Sequence, residues 1–356
     1  MQLVKKGVPG VRDARERFKK RRLKIMEIRK LDPTEHSATR SLYEEVFSED
    51  SESFVNYYYT EKTKDNIIYA VTEDGEIRSM IHLNPYDVMV NKKEEKLHYI
   101  VAVATQEPYR KRGYMAVLLK ESLQAMYRQG EPFTYLMPAS EKIYYPHDFR
   151  TVYEQTTKYW EPSEKKADIR ERRAVPKDAA SMARMATAAL EGNFDVYAKR
   201  EEEYYVRLMK EYESDGGCLM IGEKDGEILW CCPRVSEIPK ERPKIMVRLV
   251  DVRRMLLLLD LNYLTAVCFH VTDPLIEENN RCFLITGTEA SGVMLMEGKE
   301  ENSEGTLTVG ALARLIFGAA SVEEIAEEKG VKMSDRMKNE LKKIVPLSRI
   351  FLNEVV

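Results

Sequence analysis

The chain has 356 residues, 44% of them hydrophobic, and a formal net charge of -3 from 56 Lys and Arg against 59 Asp and Glu. That is long for one domain and apolar enough to bury two or three cores, while no apolar run approaches the ~18 residues of a membrane helix and no signal-peptide pattern opens the chain. Cys218, Cys231, Cys232, Cys268 and Cys282 form no C-x-x-C pair, which points to a reduced cytoplasm, and the scattered His36, His82, His98, His147 and His270 lack metal-ligand spacing, so no metal is expected.

Residues 1–24 hold ten Lys and Arg against Asp13 and Glu16, leaving that arm at +8 and the rest of the chain at -11. The arm reads as a basic, helical extension with few apolar anchors, and a solvated segment is favoured over a nucleic-acid contact. The acidic remainder suits cationic ligands such as polyamines or amino sugars through long-range steering. Ile25 to Leu31 reads as a first strand, and Asp32-Pro33-Thr34-Glu35 supplies the cap and proline of a helix start. A second helix passes through Phe54, Val55, Tyr57 and Tyr58. Asn66 to Thr72, a turn at Glu73-Asp74-Gly75 and Glu76 to Leu83 form a hairpin, followed by a separate strand at Tyr86 to Val90 and a polar loop over residues 91–96.

From His98 to Val117 the pattern changes. Tyr99-Ile100-Val101-Ala102-Val103-Ala104-Thr105 is apolar and β-branched, as a strand buried on both faces requires. Tyr109-Arg110-Lys111-Arg112-Gly113-Tyr114-Met115 then leads into Ala116, Val117, Leu118, Leu119, Leu123 and Met126 at helical spacing. A helix start exposes unpaired N–H groups and the positive end of the dipole, so a basic glycine turn there favours phosphate oxygens. A solvated basic helix cap has the same composition. No G-x-x-x-x-G-K-[ST] and no G-x-G-x-x-G occurs, which disfavours a P-loop or dinucleotide fold.

A strand at Pro132 to Met137 should lie beside the Ile100 strand, and Pro138 to Phe149 should form a short turn or helix at its carboxyl end, where ligands of open α/β sheets gather. Tyr144 is the favoured acid there, since a phenol can protonate a thiolate leaving group. Tyr144, Tyr145 and Phe149 would equally suit an aromatic core patch.

The basic turn resembles motif A of the GCN5-related N-acetyltransferases, [Q/R]-x-x-G-x-[G/A], with Arg110, Gly113 and Met115 at the motif positions and Met115 departing from the small residue. The resemblance implies acetyl-CoA as co-substrate. Val103, Ala104 and Thr105 would bond its pantetheine arm, and Arg110, Lys111, Arg112, Gly113, Tyr114, Met115 and Ala116 would wrap its pyrophosphate, with Ser140 nearby. Ile143-Tyr144-Tyr145-Pro146-His147-Asp148-Phe149 resembles the I-Y-x-x-F-G-[YF] segment of the Eis-type (enhanced intracellular survival) acetyltransferases, with His147-Asp148 replacing Phe-Gly and implying a different backbone there. This likeness makes Tyr144 the general acid, with Tyr145 the runner-up.

Asn193 to Tyr197, Arg200, Tyr204-Tyr205 and residues 215–228 resemble the family's second acetyltransferase-like domain, which lacks a cofactor turn. Ile245 to Val252 resembles the strand opening a sterol-carrier-like third domain, and Thr306 to Gly318 its final strand and helix. The implied fold is α/β with mixed sheets: a basic arm at 1–24, an acetyl-CoA-binding acetyltransferase domain at 25–155, a second acetyltransferase-like domain at 156–243 and a sterol-carrier-like domain at 244–356. By the same likeness the carboxylate of Val356 serves as general base, the alternative being a frayed terminus.

The resulting expectation is a cytoplasmic N-acetyltransferase, hexameric by family habit, acting on a primary amine of aminoglycoside, polyamine or lysine type. No membrane or nucleic-acid partner is expected. The rival is a non-catalytic acyl-CoA sensor or lipid carrier.

Overall fold

The computed structural model describes residues 26–161 and 168–354, so the basic arm of residues 1–24 and Val356 lie outside the described residues. Strand β1 (Met26–Lys30) is followed by a 3-10 turn over Pro33–Thr39 and by helices α1 (Arg40–Val46) and α2 (Glu52–Thr60). Asp32 and Glu35 close the turn's start as a capping box, the Asp32 carboxylate accepting from the Thr34 N–H and Glu35 from the Asp32 N–H, both at 3.0 Å.

Strands β2 (Ile67–Glu73) and β3 (Glu76–Val90) make the expected hairpin, with Asp74 and Gly75 at φ +57° and +85° in its two-residue turn. The two strands read at Glu76–Leu83 and Tyr86–Val90 are one, running straight through Pro85. On the side away from its next partner, β3 pairs β2 only to Leu83 and resumes pairing at Val88, so a residue without an N–H costs no ladder bond there. The expected polar loop shrinks to Asn91 and Lys92, at φ +46° and +65°, and β4 (Lys93–Thr105) begins at once. Helix α3 (Tyr114–Gln129) ends at left-handed Gly130 and leads through β5 (Phe133–Leu136) and α4 (Glu141–Tyr144) to β6 (Arg150–Glu154).

A second unit follows: β7 (Arg170–Arg173), α5 (Ala179–Leu190), β8 (Val196–Ala198), α6 (Glu202–Ser214), β9 (Cys218–Lys224) and β10 (Glu227–Arg234). Strands β10, β9 and β7 form its own small sheet, packed on Ala179, Met182, Tyr205, Met209 and Ile221. Strand β8 leaves that sheet to pair antiparallel with the end of β3.

Strand β11 (Lys244–Leu249) differs in place from its expected role as the opening of the third domain. It pairs antiparallel with both β5 and β6, so the first sheet runs β1-β2-β3-β4-β5-β11-β6. Ile245 to Leu249 are all buried, which is the unalternating apolar run that a strand flanked on both edges requires.

After α7 (Val252–Leu256), strands β12 (Thr265–Thr272), β13 (Cys282–Thr288), β14 (Gly292–Glu297), β15 (Gly305–Thr308) and β16 (Lys332–Met333) build a third sheet in the order β14-β13-β12-β15-β16. Helix α8 (Val309–Ile316) packs against β11 and β6, with α9 (Val322–Ala326) and α10 (Asp335–Leu341) beyond it. Phe133 of the first sheet meets Phe317 at 5.1 Å between ring centroids, and one hydrophobic core is continuous from β2 to α10. Arg248 on β11 also bonds Asp273 at 2.5 Å with both side chains fully buried. Finally β17 (Ile350–Phe351) returns to pair parallel with β8.

Candidate active site

The site is made where two parallel strands part. Tyr99 and Ile100 of β4 pair with Tyr135 and Leu136 of β5; there β5 ends, while β4 continues to Thr105. Just past that point β4 carries a bulge. Val101 opposes His82 and Ala104 opposes Met80, leaving Ala102 and Val103 against Ile81 alone, with Ala102 at φ +49°. A bulge bends its strand and increases the local twist, which carries β4 away from β5's axis. Ala102 was expected as an ordinary strand residue and Ala104 as a contact of the pantetheine arm. Both are buried in a small cluster with Leu42, Tyr43, Val55 and Tyr58 of α1 and α2.

The parting opens a cavity of about 740 Å³, lined by Ile100 to Val103, by Met137 to Ser140 and by Tyr144. Of the residues expected to meet the cofactor, Val103 and Ser140 line it. Ala104 and Thr105 do not line it: their carbonyl and hydroxyl oxygens bond the Ser79 hydroxyl at 2.9 and 2.8 Å.

The basic turn sits at the start of α3. Gly113 caps that helix at φ +83°, Lys111 is also left-handed at φ +62°, and no acidic residue occupies the helix's first turn. Two of the three cations brace the turn itself. Arg110 donates to the Thr105 carbonyl at 3.1 Å and Arg112 to the Pro108 carbonyl at 3.0 Å, with the Arg112 and Arg78 guanidinium groups 4.6 and 4.5 Å from the Tyr109 ring centroid. Tyr114 is turned inward, its hydroxyl donating to buried Glu73 at 2.5 Å, a bond that holds the phenol's proton more firmly than usual. Met115 packs on the core. Tyr114 and Met115 can thus offer a ligand backbone N–H groups, while Lys111, Arg112 and Gly113 are exposed.

Tyr144 closes α4 with 8% of its surface exposed and an edge-on contact to Phe149 at 5.7 Å. Burial pushes its phenol up to about 12, so it holds its proton at neutral pH. Tyr145 does not line the cavity; it is exposed, beneath the Arg150 guanidinium at 4.1 Å. Asp148 takes φ +62°, the left-handed form natural to glycine and tolerated by Asp, and Arg150 holds its carboxylate at 3.1 Å.

The rest of the lining includes residues the sequence did not single out. Asp50 lies between α1 and α2, Glu211, Tyr212 and Asp215 lie on or just after α6 of the second unit, and Glu241 precedes β11. Glu141 is matched by Lys244 at 3.0 Å, which leaves Asp50, Glu211, Asp215 and Glu241 against Arg242 alone among the lining charges. Burial raises the Asp50 carboxyl, with Glu49 and Asp215 adding to the rise and the Tyr43 hydroxyl, 2.7 Å away, opposing it. A wall of this sign attracts a cation. No local pattern marks these residues, because three separate stretches meet only in the folded chain.

The chain's end is anchored as far as it is described. Leu352 is fully buried, and the Gln155 amide donates to the Leu352 and Glu354 carbonyls at 3.3 and 3.0 Å. The Glu354 carboxylate, 3% exposed, accepts from Arg200 and from the Tyr204 hydroxyl, both at 3.1 Å. Val356 itself lies outside the described residues. Among the described residues no group of three His, Cys, Asp or Glu is placed to hold a metal, and no helix is long and apolar enough to cross a membrane.

Comparison with known proteins adds names to this geometry. Residues 27–152 match the family model of the acetyltransferase (GNAT) domain, and residues 255–353 match that of the sterol carrier protein domain. A search of curated protein sequences finds no match. Solved structures similar over nearly the whole chain include a conserved protein of Enterococcus faecalis described as a probable N-acyltransferase, at 14% identity and a TM-score of 0.76, covering 94% of this chain and 100% of that one. A GCN5-related N-acetyltransferase of Anabaena variabilis follows at 12% and 0.71, covering 93% of this chain and 100% of its own. Eis1 of Mycobacterium abscessus matches at 11% and 0.69 with the same coverage. At such identities the likeness is one of fold. The chain therefore carries an acetyltransferase (GNAT) domain over residues 27–152, joined in one polypeptide to a sterol carrier protein domain over residues 255–353.

Proposed function

We propose that the protein is an Eis-type enzyme that transfers the acetyl group of acetyl-CoA directly to a primary amine, with Tyr144 as general acid. The observation that carries this reading is the parting of β4 and β5 into one cavity whose lining holds both Tyr144 and more carboxylates than cations. Strand β4 beyond Ile100 has no β5 partner, so its backbone is left for an extended pantetheine arm, and the turn at Arg110 to Ala116 offers helix-start N–H groups to the pyrophosphate. The fold shared with Eis1 over 93% of the chain supports the same assignment.

In this reading the amine nitrogen attacks the thioester carbonyl, a C–N bond forms, and the C–S bond breaks as Tyr144 protonates the departing sulfur. Holding the two reactants in one cavity supplies much of the rate, and the acid contributes about 10²- to 10⁴-fold. The family likeness assigns the amine's proton to the carboxylate of Val356. A homo-oligomer, hexameric by that likeness, working in the cytoplasm completes the proposal, and sedimentation analysis reads the assembly directly.

The test is a mass-spectrometric screen of a broad amine panel with acetyl-CoA, followed by Tyr144→Phe. The expected result is an acetylated amine and a kcat lowered about 10²-fold or more with the dissociation constant of CoA kept. Tight CoA binding with no acetylated product from any amine would instead favour an acyl-CoA sensor.

A further inference from the structure

The amine's proton has a second candidate acceptor, and it comes from the second unit. Resting on the acetyltransferase reading above, we infer that Glu211 of α6 is the group that takes the proton from the attacking amine and passes it to solvent.

Three observations place it. Glu211 lines the 740 Å³ cavity together with Tyr144 and Tyr99. It also lines a second cavity of about 210 Å³, bounded by Lys62, Tyr86 and Glu354, and so stands in the wall between the two. Its Oε2 accepts from the Tyr57 hydroxyl at 3.2 Å, which fixes the side chain's direction.

The environment supports a proton acceptor. Burial raises the Glu211 carboxyl above the usual range, with Lys62, the Tyr57 bond and Arg207 opposing and Glu354 adding. A carboxylate raised toward neutral pH takes a proton more readily than one left at its ordinary value. Lys62, itself buried with its ammonium bonded to the Tyr86 hydroxyl at 2.7 Å, faces the same small cavity.

The step balances without any further reactant. A neutral amine attacks the thioester carbonyl and the C–N bond forms; the N–H proton goes to Glu211. The C–S bond then breaks and the Tyr144 proton goes to sulfur, giving the amide and the free thiol. Glu211 loses its proton to water through the smaller cavity, and Tyr144 regains one from solvent.

Glu211→Gln tests this, because the amide oxygen can still accept from Tyr57 and the shape is kept. The expected outcome is a kcat lower by about 10²- to 10⁴-fold, with the CoA dissociation constant and the amine KM little changed and Glu211→Asp recovering part of the loss. A kcat within about threefold of the parent overturns the assignment, as does a rise in amine KM alone, which would make Glu211 a binding residue. An extension after Val356 that abolishes turnover while Glu211→Gln retains it returns the proton to the chain end. If the parent protein acetylates no amine at all, the failure belongs to the acetyltransferase reading and not to Glu211.

Discussion

Gly113 offers the most direct test of how the basic turn works. A Cβ built on it meets nothing within 4 Å, so substitution there creates no clash, yet its φ of +83° lies where side-chain-bearing residues are strained. For an L-residue that conformation costs about 1–2 kcal/mol. If the turn must keep this shape to present its N–H groups, Gly113→Ala takes that cost out of ligand binding. At ~1.4 kcal/mol per tenfold, the dissociation constant of acetyl-CoA should rise roughly 5- to 30-fold. Gly113→Asn should lose less, since Asn tolerates the left-handed region. Titration calorimetry with CoA gives the affinity, and steady-state kinetics should show KM for acetyl-CoA rising while kcat at saturation holds. Equal losses for Ala and Asn would refute the backbone argument, and parental affinity in both would remove the turn from the binding site.

Two further outcomes follow from buried groups. Arg248→Leu leaves the Asp273 carboxylate buried with no cation, although the Leu275 and Ile276 N–H groups and the Asn279 amide still reach it, and such a loss costs about 3–5 kcal/mol. Urea unfolding measures it, and a change below about 1 kcal/mol counts against the pair as a latch between β11 and the third sheet. His82 is held neutral by burial, its pKa lowered from 6.5 to about 3. The unfolded chain therefore binds a proton that the folded one refuses between those values, so this stability is complete above about pH 6.5 and is lost as pH falls toward 3. His82→Phe should flatten the acid side of the stability profile, and parallel profiles in parent and variant would assign the acid sensitivity elsewhere.

The first sheet's cofactor half was legible because its signals are local. A β-branched run, a basic turn and a glycine followed by helical spacing lie consecutively from Tyr99 to Met126, and the hairpin turn at Asp74-Gly75 needs only two residues to declare itself. The bulge was hidden because Ala102 is a small apolar residue that fits a regular strand equally well. Its left-handed backbone arises from how β3 and β4 pair, with Ile81 facing two residues. Pro85 misled for the opposite reason: a proline usually ends a strand, and only the missing neighbour beside β3 lets this one pass. Membership of β11 in the first sheet depends on partners more than a hundred residues apart in part, as when Val247 sits between Tyr135 and Arg150. Glu211 was invisible for a related reason, since an acidic residue on a polar helix face reads as solvated until another domain's cavity covers it. The segment around Tyr144 marks it as a candidate, and exposure separates it from Tyr145.

The position of β11 also governs how this protein can be made. Strands β5 and β6 are separated by β11, whose residues follow the whole of the second unit in the chain. As the polypeptide leaves the ribosome, the acetyltransferase half therefore waits with two unpaired strand edges until Leu249 has emerged, and β8 waits longer still for β17. Sequential maturation of one domain after another, the usual course for long chains, is closed to it. Any nascent or proteolytic fragment ending before Lys244 carries exposed β edges of the kind that recruit other chains, so the first sheet is complete only in a chain that continues past the second unit.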